Sequence, residues 1–476
     1  MEKNKIGQGL YVIVLATIIL SLYPLLHKRS GYFQEHFKTF TLITSVDSTE
    51  GIQEEEVALI HTVDQILEED SLLTDTSSLT FQAELPPTPL YHFKKTLSEL
   101  AKRRKKVRIA YFGDSIIEGD LVTQTLREHL QKQFGGQGVG FVSITSIAPG
   151  FRQTIKHTFS DSWKTYSLVK TPGLNGYGIS GEVFMVNSTN DPEWPWVHYE
   201  GSSISEGTET FNKIQLFYGN TGSNSPYQPV VQVESDLASQ DITLPISNVI
   251  NRVWLNRIPT QSINVKFQVP ENLPLFGLSF EQEDGIYVDN FSSRGNSGMN
   301  LIEIPGEYLQ GFNEYLAYDL IILHFGLNVV APNRKNYKSY EKGMTRVINH
   351  MKTNLPGAEI LMVGVSDKST RKGGKYMTEP SVPILVNAQQ KVARETEIAF
   401  YNLYEEMGGK NSMVKWVDQG LANKDFTHFN REGAARVGKM LSDYLLASQP
   451  DSSYLSYRIT AEAYPSSEEN SLSAVQ

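Results

Sequence analysis

The chain has 476 residues, no cysteine and a formal net charge of −10. Its length exceeds what one ordinary core holds and points to two domains with further segments. The acidic balance argues against nucleic acid as a partner, the missing thiols exclude disulfides and thiolate metal sites, and the scattered histidines have no metal-ligand spacing, so neither metal nor cofactor is expected.

The first element is apolar. Residues 6–26, "IGQGLYVIVLATIILSLYPLL", carry no charge, and about 20 apolar residues cross a bilayer. No small-residue cleavage site follows, only "LLHKRSGYF", so residues 1–29 are expected to be an uncleaved transmembrane signal anchor. Lys3 and Lys5 before the span nearly balance His27, Lys28 and Arg29 after it, so charge leaves the orientation open. Residues 30–85 read as an acidic stem, with Val57, Ile60, Val63, Ile66 and Leu67 at the spacing of a short amphipathic helix. Pro86, Pro87 and Pro89 punctuate the entry to a folded domain. "LYHFKKTLSELAKRRKK" reads as its first helix, with the basic run at 102–106 as a solvated end.

A strand-like run, "VRIAYFG", then meets "DSIIEG" and a helix-like run, "DLVTQTLREHLQKQF". From 150 to 285 short alternating or β-branched runs such as "KIQLFYGN", "PVVQVESD" and "SINVKFQV" are separated by Gly, Asn, Ser and Pro, the pattern of an antiparallel β-sandwich. From 286 strands and helices alternate: "YDLIILHFG", "YKSYEKGMTRVINHMKTNL", "AEILMVGVS", "VPILVNAQQKVARETEI", "IAFYNLY" and "NREGAARVGKMLSDYLL". The expected fold is therefore α/β: one doubly wound, mostly parallel sheet domain, 86–149 and 286–449, interrupted by an inserted antiparallel β-sandwich, 150–285. The tail, 450–476, reads as disordered.

Four pieces carry chemistry. Ser115 stands where a strand hands over to a helix, the edge at which α/β sheets place their sites and where helix amides favour negative charge. A helix-capping hydroxyl and a nucleophile both fit that position. Asp425 and His428, in "DFTHF" before the last helix, are spaced so that a carboxylate can orient an imidazole. Asn328, after the strand "LIILHF", offers an amide to an oxyanion, and Gly295 in "SSRGNSGMNL" offers a backbone N–H. Gly298 is a substitute for Gly295.

Ser in "GDSIIEG", Gly in "SRGNSG", Asn in "FGLN" and His in "DFTH" occur in that order. The chain thereby resembles the SGNH hydrolase (GDSL esterase) superfamily over roughly 107–119 and 292–447. The resemblance implies Ser115 as nucleophile, His428 as base, Asp425 as its partner, and an oxyanion hole of Asn328, Gly295 and the Ser115 amide. It departs at Val329, where the family usually has an acid after the Asn. A sandwich inserted between the first and second blocks of an anchored chain is similar to the peptidoglycan O-acetylesterases and related polysaccharide O-acetyl-processing enzymes, where the insertion resembles a carbohydrate-binding module. Here "DPEWPWVHYEG" supplies Trp194 and Trp196, whose rings suit stacking on sugars, though both also suit a sandwich core. The implied function is a serine esterase that removes O-acetyl groups from a cell-envelope glycan through an acetyl-serine. The alternatives are an O-acetyltransferase with the same triad, supplied by a membrane acyltransferase partner, and a non-catalytic glycan-binding protein. Such a substrate lies outside the cytoplasm, which implies a single-pass inner-membrane protein with its catalytic domain on the periplasmic side.

Overall fold

The computed structural model describes residues 90–100, 105–187, 194–222, 228–282, 284–332 and 334–447, all within one unit spanning Ile66–Gln476. The apolar run at 6–26, the stem and the tail lie outside the described residues. No helix among the described residues is long and apolar enough to cross a membrane.

In chain order, α1 (Tyr91–Leu100) precedes β1 (Lys106–Gly113), a 3-10 segment (Ser115–Asp120) and α2 (Leu121–Phe134). Strands follow: β2 (Gly140–Ser143), β3 (Ile155–Phe159), β4 (Trp163–Ser167), β5 (Glu182–Val186), β6 (Trp196–Gly201), β7 (Lys213–Tyr218), β8 (Val230–Ser235), β9 (Ser239–Thr243), β10 (Asn251–Asn256), β11 (Ser262–Gln268) and β12 (Leu275–Glu281). Then come β13 (Gly285–Ser292), α3 (Gly306–Leu316), β14 (Leu320–His324), α4 (Lys338–Asn354), β15 (Glu359–Val363) and the hairpin β16 (Ser369–Lys372) and β17 (Lys375–Thr378). The chain closes with α5 (Ser381–Glu395), β18 (Ala399–Tyr401), α6 (Leu403–Glu406), α7 (Ser412–Asp418) and α8 (Arg431–Leu446).

One sheet has the order β13-β1-β14-β15-β18, and every pairing in it is parallel. β1 and β14 are buried almost throughout, as expected of continuous apolar runs covered on both faces. The chain leaves β1 for β13 on one side and then crosses to β14 on the other, so the order reverses between β1 and β14. The crevice outside the carboxyl ends of such strands is where α/β sheets bind ligands. Edge strand β13 begins at the boundary expected near 286, although its sequence continues directly from the sandwich.

The antiparallel part is two sheets, β10-β7-β12-β5-β4 with β2 added on β12, and β3-β6-β11-β8-β9. Alternating burial along β8 and β11 sends every second side chain inward, to a core of its own that includes Ile214, Leu216, Val265, Phe267 and Phe280. The first of these strands, Gly140–Ser143, pairs with β12, ten residues before the boundary expected at 150. Its short "GFVS" run carries too little periodicity to be assigned from sequence.

A buried ionic network ties the two parts together. Arg108 on β1 is fully buried. It donates to Asp289 of β13 through Nε (2.7 Å) and Nη2 (3.0 Å), to Glu281 of β12 through Nη1 (2.6 Å), and to Ser279 of β12 (2.7 Å). Asp289 also accepts from the Phe141 amide (2.8 Å) and the Tyr318 hydroxyl (2.7 Å), and Glu281 from Gln215 (2.7 Å). Lys106, read from sequence as part of a solvated helix end, is instead ion-paired to Glu281. Burial alone raises the pKa of Glu281, but Arg108 and Lys106 outweigh it and hold the carboxyl well below its usual range.

Arg108→Met should lower stability by about 3–5 kcal/mol, since it leaves buried Asp289 without its cation and Glu281 with Lys106 alone; thermal unfolding of the purified variant measures this. Glu281 binds a proton less readily folded than unfolded. Its contribution is therefore complete above the unfolded carboxylate range, near about pH 4, and is lost as pH falls through the lower folded value.

Candidate active site

The nucleophile candidate sits at the carboxyl end of β1. The 3-10 segment that begins at Ser115 is capped by Asp114, whose Oδ1 accepts from the Ile116 amide at 3.0 Å. The Ser115 hydroxyl is thus not the cap. It lies 3.1 Å from His428 Nε2. His428 Nδ1 lies 2.8 Å from Asp425 Oδ2, while Asp425 Oδ1 accepts from the amides of Thr427 (2.9 Å) and His428 (3.0 Å). This turn fixes the carboxylate, which holds the proton on Nδ1 and leaves the Nε2 lone pair for the serine hydroxyl. The pair is partly open to solvent, with side-chain exposures of 41% for His428 and 33% for Asp425.

Electrostatics favour that division of labour. Burial pulls the His428 pKa down, but its hydrogen bond to Asp425 and the charges of Asp425 and Asp114 outweigh burial and raise it above the usual imidazole value. Burial pushes the Asp425 pKa up, but His428 and the two turn amides outweigh it and lower the value. Each partner therefore stabilises the charged form of the other. His324, at the end of β14, is a poor rival base. It is buried, 2.9 Å from the Tyr111 hydroxyl, and burial pushes its pKa down to about 3.

The candidate oxyanion donors follow the two strands flanking β1. Gly295 follows β13 in a turn closed by the Asn296 amide on the Ser293 carbonyl (3.1 Å), and its φ of 78° is one that glycine adopts without strain. Among the described residues the amides of Ser115 and Gly295 have no acceptor. The Gly298 amide is committed to Asn296 Oδ1 at 2.8 Å, so Gly295 is the better placed of the two glycines. Asn328 follows β14. Its Nδ2 donates to the Asn296 carbonyl at 3.0 Å and to Asp114 Oδ2 at 3.3 Å. The longer contact is the one an oxyanion would replace. Val329 is buried, so this position serves the core.

The residues that brace this arrangement carry no motif that marks them in the sequence. Arg294, beside Gly295, donates twice to Glu118 (2.6 and 3.2 Å), joining the glycine turn to the segment that begins at Ser115. Asp120, with φ of 68°, is buried and held by Arg127 in a two-point contact (2.8 and 2.6 Å), by Thr154 (2.7 Å) and by Arg152 (3.4 Å). Phe151 packs so closely over Gly119 that a Cβ there would meet its ring at 2.3 Å. Arg431, three residues after His428, donates to the Phe151 carbonyl (3.0 Å) and lies over its ring. Phe151, Arg152 and Thr154 all lie between β2 and β3, so the insertion touches the segments that carry both Ser115 and His428. Trp194 is exposed and Trp196 half-buried on β6.

No protein-family model and no curated protein matches the chain. Among solved structures, one described as a peptidoglycan O-acetylesterase in action superposes with a TM-score of 0.61 at 20% identity, over 74% of this chain and 95% of that one. A family two carbohydrate esterase from Cellvibrio japonicus aligns at 10% identity over 64% of this chain and 97% of its own, with a TM-score of 0.25. A carbohydrate acetylesterase from Sinorhizobium meliloti aligns at 13% identity over 34% and 78%, with a TM-score of 0.26. At these identities the likeness to the first is one of fold: a parallel α/β domain with antiparallel sheets inserted.

If His428 is the base, activity needs it neutral, so turnover should fall as pH drops through a pKa above the ordinary histidine value. Asp425→Asn removes the charge that raises this pKa. The acid limb of the kcat/KM profile should move to lower pH, and the plateau should drop by roughly 10³–10⁴. A pH series on both proteins checks the direction and the size.

Proposed function

We propose that this chain is an SGNH-type serine esterase that removes O-acetyl groups from a cell-envelope glycan. The observation that carries the reading is the continuous relay Ser115 Oγ to His428 Nε2 (3.1 Å) and His428 Nδ1 to Asp425 (2.8 Å), set at the switch point of a parallel sheet. Support for the substrate class comes from the fold shared with a peptidoglycan O-acetylesterase structure.

In this reading Ser115 Oγ attacks the acetyl carbonyl as His428 takes its proton. The carbonyl oxygen becomes an oxyanion held by the amides of Ser115 and Gly295 and by Asn328 Nδ2. The bond between the acyl carbon and the sugar oxygen breaks, His428 passes its proton to the departing sugar oxygen to make the free hydroxyl, and Ser115 carries the acetyl group. Water, activated by the same imidazole, then releases acetate and restores the serine. Such a glycan lies outside the cytoplasm. The uncharged run at 6–26 would anchor the enzyme in the inner membrane with its catalytic domain on the periplasmic side.

The test is acetate release from O-acetylated peptidoglycan fragments by the full-length protein. Wild type should release acetate and Ser115→Ala should not. Asn328→Ala should lose roughly 10²–10³ in kcat. Acetyl groups passed to an added glycan acceptor, with little free acetate, would instead establish a transferase. Equal turnover by wild type and Ser115→Ala would reject the esterase.

A further inference from the structure

The β16–β17 hairpin has features that neither the fold nor the relay uses. Its strands are joined by the two-residue turn Gly373–Gly374, with φ of 58° and 81°, the geometry of a tight hairpin turn. Arg371 therefore stands opposite Tyr376, and Lys372 opposite Lys375. Like charges placed directly across a ladder are destabilising, so folding does not explain this pair. From Lys368 to Thr378 the chain has three lysines, one arginine and no acid, on a protein of net charge −10. Among the described residues none of the three ammonium groups has an ion-pair or hydrogen-bond partner. Arg371, Lys372 and Lys375 are exposed.

The hairpin also lies against the catalytic loop. The Ser369 amide donates to the carbonyl of Phe426, the residue after Asp425, at 2.9 Å. The rings of Tyr376 and Phe426 are stacked, 3.7 Å apart and 12° from parallel, and Tyr376 remains 41% exposed. Arg371 sits 5.9 Å from the Tyr376 ring centre. The base of the hairpin is rigid: Thr378 donates through its amide to Asn411 (3.0 Å) and through its hydroxyl to buried Asp367 (3.1 Å). Exposed Lys424, beside Asp425, adds a further cation to the same rim.

We propose that this hairpin is a subsite for a carboxylate-bearing glycan, with a sugar ring against the exposed part of Tyr376 and the sugar carboxylates among Lys368, Arg371, Lys372 and Lys375. An aromatic face beside unpaired cations suits an acidic sugar polymer, since the ring is met by apolar surface and the charge by salt-sensitive attraction. The inference rests on the esterase reading for its consequence, namely that the acetyl ester is presented to Ser115 on an acidic polymer.

Two measurements on the full-length protein separate this proposal from the esterase reading. The first is binding of polygalacturonate and of uncharged dextran. Polygalacturonate should bind at least about tenfold more tightly, and less so as salt is raised. The combined variant Arg371→Ala, Lys372→Ala, Lys375→Ala should lose that margin, and the charge-keeping variant Arg371→Lys, Lys372→Arg, Lys375→Arg should restore it. Equal binding of the two polymers, or polygalacturonate binding unaffected by the alanine variant, would overturn the subsite. The second is the ratio of kcat/KM on acetylated polygalacturonate to that on acetylated dextran, which cancels changes common to both substrates. It should exceed one in the wild type and fall toward one in the alanine variant. Ser115-dependent acetate release with no such preference would sink the subsite and leave the esterase standing. Hairpin-dependent binding without any Ser115-dependent release would do the reverse.

Discussion

The buried guanidinium of Arg108 is the contact on which the rest of the structure depends. It lies in β1, and its partners come from β13 of the parallel sheet and β12 of the sandwich. Removing it would leave Asp289 and Glu281 without their shared cation in a site closed to water. Because β1 is also the strand that ends at Ser115, the residue that docks the insertion and the residue that would attack the ester share one rigid segment. Apolar packing holds each part together, and this polar network sets the register between them.

From that register follows the shape of the site. Three neighbouring strands end side by side, and Gly295, Ser115 and Asn328 follow them, with Asn328 tied to Asp114 and Asn296, while the loop before α8 brings Asp425 and His428 from far along the chain to Ser115. The insertion does more than hang from the sheet. Through Phe151, Arg152 and Thr154 it grips Gly119, Asp120 and Arg431, which lie close in sequence to Ser115 and His428. Two further braces, Glu118 with Arg294 and Asp120 with Arg127, hold the segment after Ser115 from both ends. A site partly open to solvent thus rests on one buried charge pair, Asp120 with Arg127, and one at the surface, Glu118 with Arg294, the arrangement expected where side chains must be held to a fraction of an ångström.

Much of this was legible in the sequence. Buried strands such as "LIILH" and "EILMV" are continuous apolar runs with no ambiguity of face, and the order of the Ser, Gly, Asn and His blocks located the residues that the fold brings together. Other features were hidden for physical reasons. Arg108 reads as one more cation after a basic run, since nothing local shows that acids more than 170 residues away in the chain close around it. The choice between Gly295 and Gly298 depends on which amide is already spent, a matter of hydrogen bonding and not of spacing. Asp114, not Ser115, turned out to be the cap, because an aspartate just before the helix competes for the same amide. Phe151 and Arg152 carry no signal of their own because their partners belong to another part of the fold.

The proposed esterase mechanism turns on transient acetylation of Ser115. The most direct measurement is rapid acid quenching of the protein during turnover of an O-acetylated glycan, followed by mass analysis of its peptides. The account predicts one added acetyl group on the peptide containing Ser115, absent in His428→Ala. Acetate release with no acetyl group on that peptide, or an acetyl group on another residue, would contradict it.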